Sequence, residues 1–423
     1  MAYTLFMASH KRRNAVVLLL SMAGGIAFFH KGPGVEDCCR HASGLNAYAQ
    51  QLAPGSPASQ QSGGDIVPVR QVFDPFPVFN GIAVDTQNNV VVMSDVNRKS
   101  LLSYDRNADT TNPTESTPAL TQIIGPETNL GFVTGVALDP RRREIFTVNN
   151  DIEDTLVVMP YAAAGNQKPA RLLSVPHQAW GLALSLAHNE IAVSVEMHNA
   201  VVFYRREAQG IETPVRYIRG VETQLADPHG VFWDERHNEI GVANHGNFRG
   251  LVRNTGGGCV PTGTADEEGG TFQPPSISIY PAEAKGNQKP LRVIQGERTK
   301  LDFPMGLSMD SVHGEIAVAN NGGDSILIFE RTAAGNAAPV RVIRGGRTGI
   351  SRPMGVVIDT KNDEIWVSNF GDHTALAFAR GASGDVAPKR VIRTAPAGTP
   401  AAGFGNPMAV AYDSKRKQIL VPN

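Results

Sequence analysis

The run from Pro304 to Gly345, PMGLSMDSVHGEIAVANNGGDSILIFERTAAGNAAPVRVIRG, returns from Pro353 as PMGVVIDTKNDEIWVSNFGDHTALAFARGASGDVAPKRVIR. A chain that repeats at this spacing stacks equivalent units and buries its apolar faces between neighbours. The anchoring glycines are Gly81, Gly135, Gly181, Gly230, Gly306 and Gly355, with Ala409 in a seventh slot, at spacings of 54, 46, 49, 76, 49 and 54. Each unit holds four alternating segments, a to d, which around Gly355 read GVVID, EIWVSN, TALAFAR and PKRVIR. Period-two alternation, β-branched enrichment and turn residues between the runs make them strands. Four short strands every ~40 to 50 residues form a propeller blade.

The expected fold is therefore all-β, a propeller of four-stranded antiparallel blades. Segments a and b occur seven times, the last pair being MAVAYD and QILVPN. GGDIVPVRQVF (63–73) matches the d segment SGDVAPKRVI (383–392), and NAYAQ (46–50) resembles the c segment ALAFA (375–379). Seven blades then follow, closed by pairing N-terminal c and d strands with C-terminal a and b strands, which leaves no open sheet edge. Six blades are the alternative.

Upstream, Lys11, Arg12 and Arg13 precede an uncharged run, Ala15 to Phe29, that is short of the roughly 20 residues of a bilayer span. It reads as a secretory apolar region, so residues 1–30 are expected to be a signal peptide or a retained membrane anchor, and the rest extracytoplasmic. Residues 31–64 read as a linker rich in Gly, Ser, Ala, Gln and Pro, and 65–423 as the propeller. Three cysteines, Cys38, Cys39 and Cys259, make no disulfide framework. A net charge of −1 without basic clusters argues against nucleic acid as a partner. The expected partner is a small molecule or a protein, and a monomer is expected.

With its PxG opening, the Asp before the first turn and the V-x-N ending of strand b, the repeat resembles NHL-type and YVTN-type β-propeller repeats over roughly Val67 to Asn423. That group includes ligand-binding scaffolds, lactonases and lyases, so the resemblance implies a fold and leaves the chemistry open. The aspartates that end strand a (Asp85, Asp139, Asp234, Asp310, Asp359, Asp413) read as turn-holding residues. The Pro-x-Arg of strand d (Pro214/Arg216, Pro290/Arg292, Pro339/Arg341, Pro388/Arg390) reads as protection of an outer edge.

In a propeller the d–a and b–c loops share one face, around the channel mouth. Five of the eight histidines beyond the linker fall there: His177 and His229 in d–a loops, His198, His245 and His373 in b–c loops. Asn149, Asn244, Asn320 and Asn369 end strand b and offer a ring of donors and acceptors; with His177 and His373 they are the expected ligand-binding residues. Glu196, His198, His229 and His245 are the expected ligands of a divalent metal, because imidazoles with a carboxylate leave an open coordination position. Glu196-x-His198 and Pro228-His229-Gly230 bear a limited likeness to streptogramin lyases, which implies a metal-dependent lyase. Glu196, Asn244 and Asn320 are compatible with the calcium site of gluconolactonase-like propellers. The long spacing places an insertion, 250–275, in the b–c loop of blade four, beside His245. A nucleophile elbow, HExxH and an EF-hand pattern are absent from the sequence. The leading expectation is thus an exported binding propeller, with a metal-dependent lyase or lactone hydrolase as the alternative. A purely structural repeat would instead show a mouth plugged by apolar side chains.

Overall fold

A computed structural model describes residues 74–246, 248–249, 271–401, 411–413, 415 and 418–420. The expected leader, the linker, the strand-like 46–50 and 67–73 segments, the cysteines and the interior of the insertion lie outside these residues.

Six four-stranded sheets follow one another, each antiparallel in the order a-b-c-d. Blade one is built from Phe79–Asp85, Val90–Asp95, Ser100–Asp105 and Thr121–Ile124; blade four takes its third strand, Ser276–Pro281, from beyond the insertion. The insertion begins as a small hairpin in which Phe248 and Arg249 pair with Phe272 and Thr271. Val, Ile, Leu and Phe of facing sheets mesh into buried clusters between neighbouring blades, as in the cluster that joins Ala183, Ile218, Trp233 and Tyr280.

The repeated glycine sits in strand a because a neighbour's backbone occupies the place of its side chain. A Cβ on Gly81 would lie 2.3 Å from Thr134 O, on Gly181 2.1 Å from His229 O, and on Gly230 2.3 Å from Met305 O. Each inner strand thereby leans directly on the next.

The ring closes at six blades among the described residues, not seven, and without sharing a sheet between the chain ends. On Gly355 the added atom would lie 3.1 Å from Asn80 O, so blade six meets blade one as every other pair meets. Phe79, Tyr104, Trp366 and Ile392 share one buried cluster across this junction. Elsewhere strand d pairs with a glycine in the next blade's c–d turn, as Ile123 does with Gly165. At the junction the longer c–d loop of blade one takes that place: Thr110 N donates to Val391 O at 2.9 Å, and Arg393 N to Thr117 Oγ1 at 2.9 Å. Among the described residues the seventh a–b pair forms a two-stranded sheet of Ala411–Asp413 with Gln418–Leu420. The repeat count overshoots because blade six packs directly on blade one, so the seventh a–b pair is not needed to close the ring.

Two scaffold readings meet different fates. The strand-a aspartates hold their turns: Asp85 Oδ1 accepts from the backbone N–H of Gln87 and Asn88 at 2.8 and 3.0 Å. The strand-d arginines do more than guard an edge. Arg171, Arg292 and Arg341 reach across strand c to Glu144, Glu239 and Glu315, which open strand b, at 2.7, 2.7 and 2.6 Å.

Blade one has Asp95 where blades two, four, five and six have Asn. Burial drives its carboxyl up to about 6, against hydrogen bonds from Val78 N, Ser100 and the Arg98 and Asn97 N–H groups. A raised carboxyl favours the folded state below its unfolded value near 3.8 and loses that advantage as pH climbs through about 6. Asn would keep the acceptor and donate to Ser100, as Asn320 does to Ser325 at 3.1 Å. Asp95→Asn is therefore expected to stabilise the fold by about 2 kcal/mol at pH 7.5, with most of the gain gone at pH 4.5. Urea unfolding at the two pH values checks this; destabilisation at pH 7.5 would contradict it.

Candidate functional site at the channel mouth

Three positions per blade face the mouth. They are the residue before strand a, the second residue of strand a, and the residue after strand b. The first and third are tied by a backbone bond in every blade: Val96 N–Val78 O, Asn150 N–Phe132 O, Glu196 N–Gln178 O, His245 N–Asp227 O, Asn321 N–Phe303 O and Phe370 N–Arg352 O, all between 2.9 and 3.2 Å. The second position holds Asn80, Thr134, Trp180, His229, Met305 and Met354 in turn.

This alignment divides the mouth into two unlike halves. Val78, Val96, Phe132, Met305, Met354 and Phe370, from blades one, two, five and six, form a buried apolar plug. Trp180 packs against it from blade three. Blades three and four carry the acids and imidazoles, with Gln178 and Glu196 on one and Asp227, His229 and His245 on the other.

In that second half the imidazoles of His229 and His245 stack, with centroids 3.4 Å apart and planes 18° from parallel. Trp180 closes the far side of His229 at 4.7 Å, and the exposed Phe303 meets His245 edge-on at 5.1 Å. His229 Nε2 faces Glu196 Oε1 at 3.1 Å, while its Nδ1 lies 3.1 Å from the backbone carbonyl of Asp227 and 3.7 Å from Asp227 Oδ1. His245 Nδ1 lies 3.6 Å from Asp227 Oδ2, and its Nε2 lies 2.6 Å from Met305 Sδ. One donor atom each from Asp227, His229 and His245 falls within 4.8 Å of the others.

Electrostatics splits the pair. Burial opposes a charge on His229, but the hydrogen bond and negative charge of Glu196, with Asp227 behind, raise it above the usual imidazole range. Burial and the neighbouring His229 together push His245 down to about 4, against the pull of Asp227. Asp227 itself is lowered: burial pushes it up, and the hydrogen bond and charges of the two histidines outweigh that. The surroundings thus push the two rings apart, His229 towards its charged form and His245 towards its neutral one, because two charged rings in contact would repel.

The fold brings Glu196, His229 and His245 together and adds Asp227, which sequence reasoning passed over. His198 is not among them: burial, Arg219 and His177 lower its pKa on the neighbouring turn. His177 is exposed and bonded to Asp154 at 2.8 Å. The asparagines face inward, and each is engaged with the d–a loop of its own blade. Asn149 Oδ1 accepts from Gly131 N at 2.8 Å, Asn244 Oδ1 from Ala226 N at 3.2 Å, Asn320 Oδ1 from Asp302 N at 2.7 Å and Asn369 Oδ1 from Ser351 N at 2.7 Å. His373 is buried at the closing junction, with Nδ1 2.8 Å from Pro77 O and Nε2 3.0 Å from both Pro400 O and Asp74 Oδ2. The signal for Asp227 was present as the residue before Pro228 in the repeat, one step ahead of the PxG opening.

A six-bladed β-propeller with a histidine–carboxylate cluster on one side of its mouth is the class that fold and site define. No family model matches the chain, and no curated protein matches it. Among solved structures it is similar to a chain of a nidogen/laminin complex, at 13% identity and a TM-score of 0.44, covering 72% of this chain and 89% of that one. It is also similar to the WD40 β-propeller domain of Doa1, at 12% identity and a TM-score of 0.46, covering 82% and 89% respectively. These likenesses are to propellers and carry no inference about what this chain binds.

Removing the charge of Glu196 tests the coupling. In Glu196→Gln the midpoint of His229 is expected to fall, and that of His245 to rise as its charged neighbour disappears. Imidazole proton titration by NMR follows both; movement of the two in the same direction would contradict the pairing.

Proposed function

We propose that the chain is an extracytoplasmic binding propeller of the NHL/YVTN kind. It takes a small ligand or a protein partner on the mouth face over blades three and four. A divalent cation held by Asp227, His229 and His245, with Glu196 on the other nitrogen of His229, forms the centre of that site. The observation that carries this reading is the convergence of Asp227, His229 and His245 to within 4.8 Å in a largely buried setting.

The donor set suits such an ion. Donor separations of 3.6 and 3.7 Å from Asp227 to the two imidazoles match the edge of a coordination sphere with bonds of ~2.1 Å. His245, neutral at pH 7, is already in the coordinating form, and one carboxylate on each side of the pair allows one to ligate while the other orients. Stacked rings send their in-plane lone pairs out parallel, so a common ion requires one ring to tilt. An ion needs both imidazoles unprotonated, and the raised His229 opposes that, so affinity rises with pH. Export rests on the basic-then-apolar run at residues 11–29.

A metal-dependent lyase or lactone hydrolase at the same place is the second reading. It is favoured by the Glu196–His229 pair, a carboxylate and an imidazole in contact at 3.1 Å and able to pass a proton to or from a bound molecule.

Elemental analysis and calorimetry on purified protein test the cation. About one equivalent is expected, bound more tightly at pH 8 than at pH 6, lost in Asp227→Ala and His229→Ala, and kept in His198→Ala. Absence of stoichiometric metal, or equal loss in all three variants, would contradict the proposal.

A further inference from the structure

Below the mouth lies a channel cavity of about 290 Å³ that the cation reading does not use. Asp227, Glu196, His229 and His245 are not among its lining residues. Every blade gives its wall one aliphatic side chain, from the residue after the anchoring glycine: Ile82, Val136, Leu182, Val231, Leu307 and Val356. Each is only 4 to 8% exposed, so most of the side chain is packed between blades and a small part faces the cavity. Trp180 and Met354, which belong to the mouth plug, form the roof. At the other end the cavity reaches Pro140, the residue after strand a of blade two, so its way out lies on the face of the a–b turns. Among the described residues no charged side chain lines it.

Asn80 is the exception in this wall. It holds the mouth position of blade one, where blades five and six have Met305 and Met354, and it is 3% exposed. Its backbone carbonyl accepts from Ser368 Oγ, but its side-chain Nδ2 is buried without a hydrogen-bond partner. A buried amide left unpaired costs stability that Met at the same place would not. Because Asn80 lines the cavity, an acceptor can reach it from inside. A water molecule there would need two to four polar partners, and the aliphatic side chains below Asn80 offer none.

We propose that the channel cavity binds a small neutral carbonyl compound, an aliphatic ketone or ester. Its oxygen accepts the N–H of Asn80, and its hydrocarbon part lies within the aliphatic ring. Three features select this class. The walls favour apolar surface. A single unpaired donor calls for a single acceptor. A carboxylate would be buried with no positive side chain to balance it. Size follows from volume: at about 30 Å³ for each water-sized group, 290 Å³ takes roughly ten non-hydrogen atoms. The site is separate from the cation at the mouth and stands or falls without it.

The test uses the full chain and two probes of equal size, 2-heptanone and 2-methyl-1-heptene, in which a methylene replaces the carbonyl oxygen. Wild type is compared with Asn80→Met, since Met already stands at this position in two blades. Calorimetry is expected to give one ketone per chain, and the ratio of ketone to alkene affinity is expected to fall about tenfold or more in the variant. Taking the ratio removes the different hydration of the two probes. In wild type, NMR is expected to show contacts from the bound ketone to the Ile82 and Val231 methyl groups. The Asn80 side-chain amide protons should shift with the ketone and not with the alkene. If Asn80→Met does not fold, these two wild-type signals decide alone. An unchanged ratio in a folded variant, ketone contacts confined to other methyl groups, or binding of neither probe with water alone on the Asn80 amide would overturn the proposal.

Discussion

Everything about this propeller depends on how closely its inner strands approach one another. The glycine of strand a lets a carbonyl of the next blade come to where a side chain would start, and it recurs in all six described blades. Serine on strand b reinforces the contact at three of the six interfaces: Ser94 Oγ donates to Thr134 O at 2.5 Å, and Ser194 and Ser368 Oγ donate to His229 O and Asn80 O. The approach narrows the channel to about 290 Å³, lined by strand-a residues of all six blades. It also fixes the mouth positions relative to one another, so that residues far apart in number become neighbours by rule.

That rule explains why the mouth is chemically lopsided. Four blades present Val, Phe, Met, small polar residues and, on blade six, Arg352, and their apolar members fill the opening with a plug. The other two present imidazoles and carboxylates at the equivalent positions. The surroundings of the buried histidine stack favour a charge on His229 and disfavour one on His245. Glu196 and Asp227 supply the compensation, and the surrounding apolar surface strengthens it by excluding water. The apolar plug expected of a purely structural repeat is thus present over most of the mouth, and blades three and four depart from it.

Much of the fold was legible in the sequence, since strands a to d, their turns and their glycines follow from alternation and turn chemistry. The turn role of Asp85 and its counterparts was equally legible, because it depends only on residues two and three positions away. The blade count was not. It depends on whether blade six packs on blade one, and the contact between Gly355 and Asn80 joins residues with no sequence signature of adjacency. His373 was assigned to a ligand surface for the same reason, since its partners Asp74 and Pro77 come from the other end of the ring. Within the site the placement is a matter of register. The asparagines that end strand b turn inward to hold their own loops, whereas the next residue along (Val96, Asn150, Glu196, His245, Asn321, Phe370) looks into the mouth. Glu196 and His245 stood out because they break the local pattern, and His198 was carried with them by proximity in sequence alone. Asp227 went unrecognised because it is ordinary as a loop residue and acquires meaning only once the fold brings His229 and His245 beside it.

The central claim is that glycine-mediated contact between inner strands sets the ring, and with it the convergence at the mouth. The most direct measurement is the unfolding free energy of Gly181→Ala against Gly346→Ala. A Cβ at Gly181 would meet His229 O at 2.1 Å, and one at Gly346 would meet nothing within 4 Å. The account predicts a loss of about 3 kcal/mol or more for the first and a change within about 0.5 kcal/mol for the second. Equal and small effects would mean that the inner strands do not touch as described, and would contradict it.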